Sequence, residues 1–398
     1  MPGPLEGLKV IDLSWGLSAP YCTMMLCDLG AEIIKVERPL GGDFTRGNGP
    51  FIDGVSVYFE SISRGKKSIT LNLTTPKGKE LLLRLVDTAD VLVSNYVPGA
   101  MERLGLDYET LKARNPALIY ATVSGFGQTG PYAQYPAFDV IVQAMGGIMS
   151  ITGEPGGAPV RPGASIGDIQ AGIFTAISIL AALYERNQSG QGQAIDISML
   201  DCQVATLENA FARYLIAGEV PTALGTRHPV STPFQAFETK DGYVVVAIVG
   251  GVNDQWPLFC SAIGRLDLID DPRYKTSYLR SVHYDELEPI MSAPMKQKTT
   301  REWLEDFRGL RIPCGPLNTI PQVASDPQIL AREMIVEIEN PKLGKIKMVG
   351  TPFHFSRTRP KVSRPAPSLG EHNQEVLGGF LGLTPEEMKS LKAEEVVA

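Results

Sequence analysis

Three consecutive segments at the amino end alternate in character and constrain the chain more than any other feature. Leu8 to Leu13 (LKVIDL) reads as a short buried strand, Ala19 to Leu29 as a helix, and AEIIKVE, which closes at Glu37, as a second strand. Gly30 stands between helix and strand, where a residue tolerant of the left-handed conformation stops a helix. A strand, a crossover helix and a second strand bring the chain back in the same direction, so this unit opens a parallel sheet. The alternation continues through SITLNL, GKELLLRLVDTA, DVLVSN, AMERLGLDYETLKARN and ALIYATVSG. An α/β fold of nucleotide-binding type is expected for the first 150 residues or so.

Further along, Gly167 to Arg186 is apolar nearly all round, the pattern of a helix buried between layers or at a subunit interface. AIDISMLDCQVATLENAFARYLIAG then reads as a strand and a long helix. GEVPTALGTRHPVSTP has the Gly, Pro, Ser and Thr content of a linker. Past it, FQAFETKDGYVVVAIV reads as two strands turning at Lys240-Asp241-Gly242, because Asp-Gly suits the positive φ angles of a tight hairpin. The expected organisation is a large domain over 1–200, a linker over 201–232, a smaller mixed α/β domain over 233–325 and a carboxy-terminal segment over 326–398.

Composition narrows the function classes. With 398 residues, 43% hydrophobic and 20% charged, the chain has the usage of a folded, soluble protein of two or three domains. The balance of 37 Lys+Arg against 44 Asp+Glu, net −7, gives no global attraction to nucleic acid or to an anionic membrane. An anionic ligand must therefore be held by locally placed basic residues. Five cysteines without a CxxC pair, and an amino end without a secretory pattern, point to a cytoplasmic location. The four histidines are scattered, with no HxH or HExxH, so no metal site is expected; GxSxG and P-loop motifs are absent.

Two positions carry candidate chemistry. The turn after the first strand, Ser14-Trp15-Gly16-Leu17-Ser18, has one glycine where a dinucleotide fingerprint wants three. Arg38, closing the second strand, suits a ribose phosphate, and a solvated strand-end arginine explains it equally well. Asp168 stands at the start of the long apolar helix, where a carboxylate serves as a helix N-cap. The glycine before it admits a close approach, and the same carboxylate could act as a nucleophile toward a thioester.

Nine pieces in one order resemble the class III CoA-transferases, the group of formyl-CoA and carnitine CoA-transferases related to the α-methylacyl-CoA racemases. They are PLEGLKVIDLS with Ala19-Pro20, DLGAEIIKVERP with GGD, KKSITLNL, NYVPGAMERLGL, GFGQTGP, FDVIVQAMGG with Thr152-Gly153, Gly167-Asp168, GQGQAIDISMLD and PAPSLGEH. The resemblance implies a Rossmann-like large domain, a smaller second domain and a carboxy-terminal stretch that returns to the large domain, in an interlocked homodimer. It implies Asp168 as the catalytic nucleophile. It assigns coenzyme A contacts to Leu17, Ser18, Arg38, to Leu71, Asn72, Leu73 and Thr74, to Asn95, Tyr96 and Val97, to Arg103, and to Phe138 and Asp139.

The implied activity moves CoA from an acyl-CoA donor, with succinyl-CoA a candidate, to a small carboxylic acid through a covalent aspartyl intermediate. Coenzyme A is then a substrate, and no prosthetic group is implied. Two alternatives stay open: a racemase or isomerase acting at the α-carbon, and a CoA-binding subunit without turnover, paired with a catalytic paralogue. Racemases of the family carry a histidine directly before the aspartate that is Asp139 here; this chain has Phe138, whose ring cannot exchange a proton. Arg227 and His228 are candidates for a second substrate carboxylate, with an exposed linker pair as the simpler account.

Overall fold

The amino-terminal alternation forms a six-stranded sheet in the computed structural model, which describes residues 2–248 and 255–398. Its strands are β1 (Lys9–Asp12), β2 (Glu32–Glu37), β3 (Lys67–Thr70), β4 (Val91–Ser94), β5 (Ile119–Ser124) and β6 (Ala194–Ser198), in the order β3-β2-β1-β4-β5-β6. Every neighbouring pair is parallel. Side chains alternate across the pleat, so one strand feeds two cores. Ile11, Ile34 and Leu92 join Leu82 and Leu85 of α2 (Pro76–Val86) on one face. Val10, Ile33 and Val91 meet α1 (Ser18–Asp28) and the long α4 (Ile166–Ser189) on the other. Burial on both faces is why the strands read as continuous apolar runs.

Strand order reverses at β1 and β4, so the loops leaving their carboxyl ends diverge and open a crevice. Two long helices expected from sequence are each broken. Gly105, at φ +67°, ends Ala100–Leu104, and Asp107 caps a new helix, Tyr108–Arg114, by accepting the Thr110 N–H. After β6, Met199–Ala205 and Glu208–Ala217 are likewise separate.

By length and composition α4 could cross a membrane. Its Ala171, Thr175, Ile179 and Ala182 are instead buried in the core beside α1. Gly172 makes the close contact possible, since a Cβ there would stand 2.7 Å from the Ser18 carbonyl oxygen. A second stripe of α4, Ile173, Ile177, Leu180 and Tyr184, is exposed.

The carboxy-terminal residues 327–398 belong to the same compact unit as the sheet. Val376, Leu377, Leu391, Val396 and Val397 enter the core with Ile69, and the edge strand β3 is covered. Asn373 Oδ1 accepts the Thr70 N–H at 2.8 Å, and the Ala398 N–H reaches Thr70 Oγ1 at 2.8 Å.

A second compact unit takes Pro221–Asp326 together with Ser150–Val160. Its hairpin pairs Phe234–Glu238 with Tyr243–Ala247 across the loop 239–242, which the Thr239 N–H closes onto the Gly242 carbonyl at 2.9 Å. Neither Asp241 nor Gly242 takes a positive φ, so a longer loop stands where the dipeptide suggested a tight turn; Val249 lies outside the described residues. Cys314–Pro316 adds a third antiparallel strand. Phe237, Val246, Phe259, Trp303 and Phe307 fill its core.

Candidate active site

The loop after β1 is held from three sides. Asn95, just past β4, takes the Trp15 N–H on its Oδ1 at 3.0 Å and returns its Nδ2 to the Trp15 carbonyl at 2.7 Å. Lys35, fully buried on β2, donates to the Ser14 carbonyl at 2.7 Å and pairs with Asp43 at 2.9 Å. Asp43, the acid of the GGD segment, also accepts the Gly16 N–H at 3.3 Å. Beneath the loop, burial works against ionising Asp12, but Lys66 and Lys35 with the Ser14 and Thr23 hydroxyls outweigh it and hold the carboxyl at about 2. Charge deep under the crevice is thus paired, and the loop has one shape.

Arg38 projects at the end of β2 with its guanidinium 5.3 Å from the Trp15 ring, and that ring lies 5.3 Å from Tyr96. Stacking leaves the guanidinium edge open for phosphate oxygens. Trp15, Arg38, Asn95 and Tyr96 therefore share one mouth. Leu17 and Ser18 begin α1 beside it, without a side-chain cap on that helix. Tyr96, Val97 and Gly99 also line a cavity of about 310 Å³ that runs past Met101 and Tyr108. Arg103 is exposed on the short helix after Gly99.

The segment after β3 is fixed by the returning carboxy terminus: the Asn72 N–H donates to the Val396 carbonyl at 2.8 Å, and Asn72 Oδ1 accepts the Thr74 hydroxyl at 2.7 Å. Leu71, at 1% exposure, has its side chain in the core, which leaves only backbone for a ligand. Asn72, Leu73 and Thr74 are accessible.

Asp168 lies in the first turn of α4 and is not its N-cap, which is Ser165. The carboxylate that caps this helix comes from Asp139, the first residue of α3 (Asp139–Met145). Asp139 Oδ1 accepts the N–H groups of Gly167 at 2.9 Å and of Asp168 at 3.4 Å. Its Oδ2 accepts Gln143 Nε2 at 2.7 Å and Arg161 Nη2 at 2.9 Å. Gly167 allows this seat, since a Cβ there would press on Asp139 Oδ1 at 3.2 Å. The Asp168 carboxylate makes no hydrogen bond among the described residues. Burial, then the neighbouring Asp139 charge, push it up to about 7, with Arg161 pulling the other way. A half-buried carboxylate that caps nothing, and whose ionisation burial opposes, is a candidate for chemistry.

Residues 5–373 match the model of CoA-transferase family III. The chain belongs to this family. It is 41% identical to human succinyl-CoA:glutarate CoA-transferase, across 94% of this chain and 85% of that protein. It is also 41% identical to acetyl-CoA:oxalate CoA-transferase of Acetobacter aceti, across 93% and 94% of the two chains. A crystal structure of a CAIB/BAIF family protein from Brucella suis superposes with a TM-score of 0.84 at 37% identity, covering 96% of this chain and all of that one, 100%. The protein is a CoA-transferase enzyme that uses acyl-CoA.

Within this transferase, Phe138 is 71% exposed and caps α3 without a side-chain bond. Asp139 has all its lone pairs engaged by four donors, so it is not a free acid or base beside Asp168. Tyr58 was not legible as a site residue. Burial raises its phenol and the Asp168 charge raises it further, which puts it within electrostatic reach of the carboxylate. Only a contact between distant segments reveals it. Arg227 stacks over Tyr284 at 4.1 Å inside the second unit, and His228 packs on Phe234.

Proposed function

We propose that this CoA-transferase works through Asp168 as nucleophile, on an acyl-CoA donor such as succinyl-CoA and a small dicarboxylic acid acceptor. The observation that carries the reading is the unpartnered Asp168 carboxylate at the head of α4, ionising near neutrality. Asp168 attacks the thioester carbonyl, the C–S bond breaks, and CoA leaves as thiolate from a mixed anhydride. The thiolate then attacks the aspartyl carbonyl of that anhydride, releasing the donor acid as a carboxylate and leaving Asp168 as a CoA thioester. The acceptor carboxylate attacks this thioester, expels thiolate and forms a second anhydride. Thiolate attacks the acceptor carbonyl, giving the new acyl-CoA and the free Asp168. One acyl–sulfur bond is present before and after, so no outside energy source enters.

The strand order β3-β2-β1-β4-β5-β6 supports a Rossmann-like reading of the large domain, with CoA at the reversal point. Arg38 and Arg103 supply phosphate contacts, and Asn72, Thr74, Asn95, Tyr96 and Val97 line the path of the cofactor-sized substrate. The names of relatives acting on glutarate and oxalate support a dicarboxylate acceptor. The apolar stripe Ile173, Ile177, Leu180, Tyr184 supports a homodimer, which we take to be interlocked. Free cysteines, three of them buried, support a reducing, cytoplasmic setting.

The test is intact-mass and peptide analysis after incubation with succinyl-CoA and no acceptor. A CoA adduct on the peptide that holds Asp168 is expected, and none on the Asp168→Asn protein. A wild-type chain that turns over without any adduct would refute the cycle.

A further inference from the structure

The guanidinium of Arg161 does more than the fold asks of it. It spends one nitrogen, Nη2, on both of its contacts, Asp139 at 2.9 Å and Ser165 Oγ at 3.0 Å. Nη1 and Nε make no hydrogen bond among the described residues, and the side chain is 37% exposed. Asp139 already has the N–H groups of Gly167 and Asp168 and the amide of Gln143. The pair is open to solvent on one side only: Asp139 is 9% exposed, and it is the guanidinium that faces outward. Among the described residues Arg161 is also the cation whose field reaches the Asp168 carboxylate.

Charge accounting through the reaction shows what such a cation can do. At rest the cluster Asp139, Asp168 and Arg161 carries one net negative charge, with Arg161 offsetting one of two carboxylates. Once Asp168 is a thioester or an anhydride it is uncharged, and Arg161 with Asp139 sums to zero. The next substrate arrives as a carboxylate and must come within bonding distance of the aspartyl carbonyl. Its charge then stands where the charge of Asp168 stood, beside the same guanidinium. Without a cation, that approach would set two carboxylates, the acid and Asp139, against each other in a half-buried site.

We propose that Arg161, anchored through Nη2 to Asp139 and Ser165, holds the carboxylate of the acid substrate through its open N–H groups and delivers it to the acylated Asp168. The role rests on the Asp168 cycle above and adds to it the residue that recognises the acid. Arg161 forms no covalent bond. It donates hydrogen bonds to the attacking carboxylate and, by reversal of the same step, to the departing donor acid.

Steady-state kinetics with succinyl-CoA and glutarate, together with adduct mass analysis, tests this on Arg161→Gln and Arg161→Lys. For Arg161→Gln the KM for glutarate should rise by about tenfold or more, the loss of one charge-assisted hydrogen bond. The KM for succinyl-CoA should change little, and the CoA adduct on Asp168 should still form, which also reports a folded site. Arg161→Lys, which keeps the charge, should recover part of the affinity for glutarate. An unchanged KM for glutarate in Arg161→Gln, with the adduct intact, would overturn the role of Arg161 alone. A parallel rise in both KM values with loss of the adduct would mean that Arg161 only supports the head of α4, and would also overturn it. Absence of the adduct in the unsubstituted enzyme would instead remove the Asp168 cycle, and this proposal with it.

Discussion

The Asp139 carboxylate accepts the Gly167 N–H at 2.9 Å, and so the residue directly before Asp168 is pinned to a different helix. That bond does two things. It fixes the first turn of α4, where the dipole of the helix favours negative charge. It also places a second carboxylate near Asp168, which adds to burial, the larger cause, in opposing its ionisation. The capping function is thereby taken by Asp139, and the Asp168 carboxylate is released from it.

Asp168 should titrate visibly in both rate and stability. The nucleophile is the ionised form, so kcat/KM should climb with pH through about 7 and level off above it. Stability runs the other way. A carboxyl whose folded pKa is raised binds its proton more tightly in the folded state, so its favourable contribution is present at low pH and is lost as pH rises from the unfolded value through about 7. Asp168→Asn should abolish transfer at every pH, melt higher than wild type at pH 8, and show little difference at pH 5. Thermal melts at the two pH values check the sign; a lower melting temperature for Asp168→Asn at pH 8 would contradict it.

Asp139→Asn should separate position from charge. The amide keeps one acceptor for the Gly167 N–H and removes the negative charge that raises Asp168. The rising limb of the pH profile should move to lower pH, while kcat falls because Arg161 and Gln143 lose a charged partner. Measuring kcat/KM from pH 5 to pH 9 distinguishes this from a general loss of fold, which would lower the curve without moving it.

Arg38→Ala should weaken CoA more than dephospho-CoA if, as proposed, the guanidinium over Trp15 holds the phosphate on the ribose, the 3′-phosphate that dephospho-CoA lacks. A charge-assisted contact of this kind is worth about 1.5 to 3 kcal/mol, or roughly tenfold to a hundredfold in affinity. Calorimetric titration with both ligands reads the difference, and equal weakening would move Arg38 to another part of the ligand.

Ile177→Asp, on the exposed stripe of α4, should lower the melting temperature rather than release a folded monomer, because chain separation and unfolding are coupled in an interlocked dimer. An interlocked dimer cannot part without unfolding, so the unsubstituted protein should remain dimeric on dilution to nanomolar concentration. Mass photometry across a dilution series checks this. A folded monomer that forms reversibly would rule the interlocked arrangement out.

Some of this protein follows from local sequence and some from its fold. The six strands and the crossover helices were legible because continuous apolar runs and helix-period segments are local signals, and Asp241-Gly242 marks the place of its hairpin though not the shape of the turn. Arg38 and Asp168 could be singled out from their places at a strand end and a helix start. What the sequence left undecided was the duty of each acid: an aspartate at the head of a helix reads as a cap, and Asp168 is not one. That was settled 29 residues upstream, where α3 brings Asp139 onto the Gly167 and Asp168 N–H groups. The seat of Leu71 in the core and the nearness of Tyr58 to Asp168 also depend on packing between segments. A hydrogen bond or an electric field between residues far apart in the chain leaves no periodicity behind it, so only the tertiary structure could assign them.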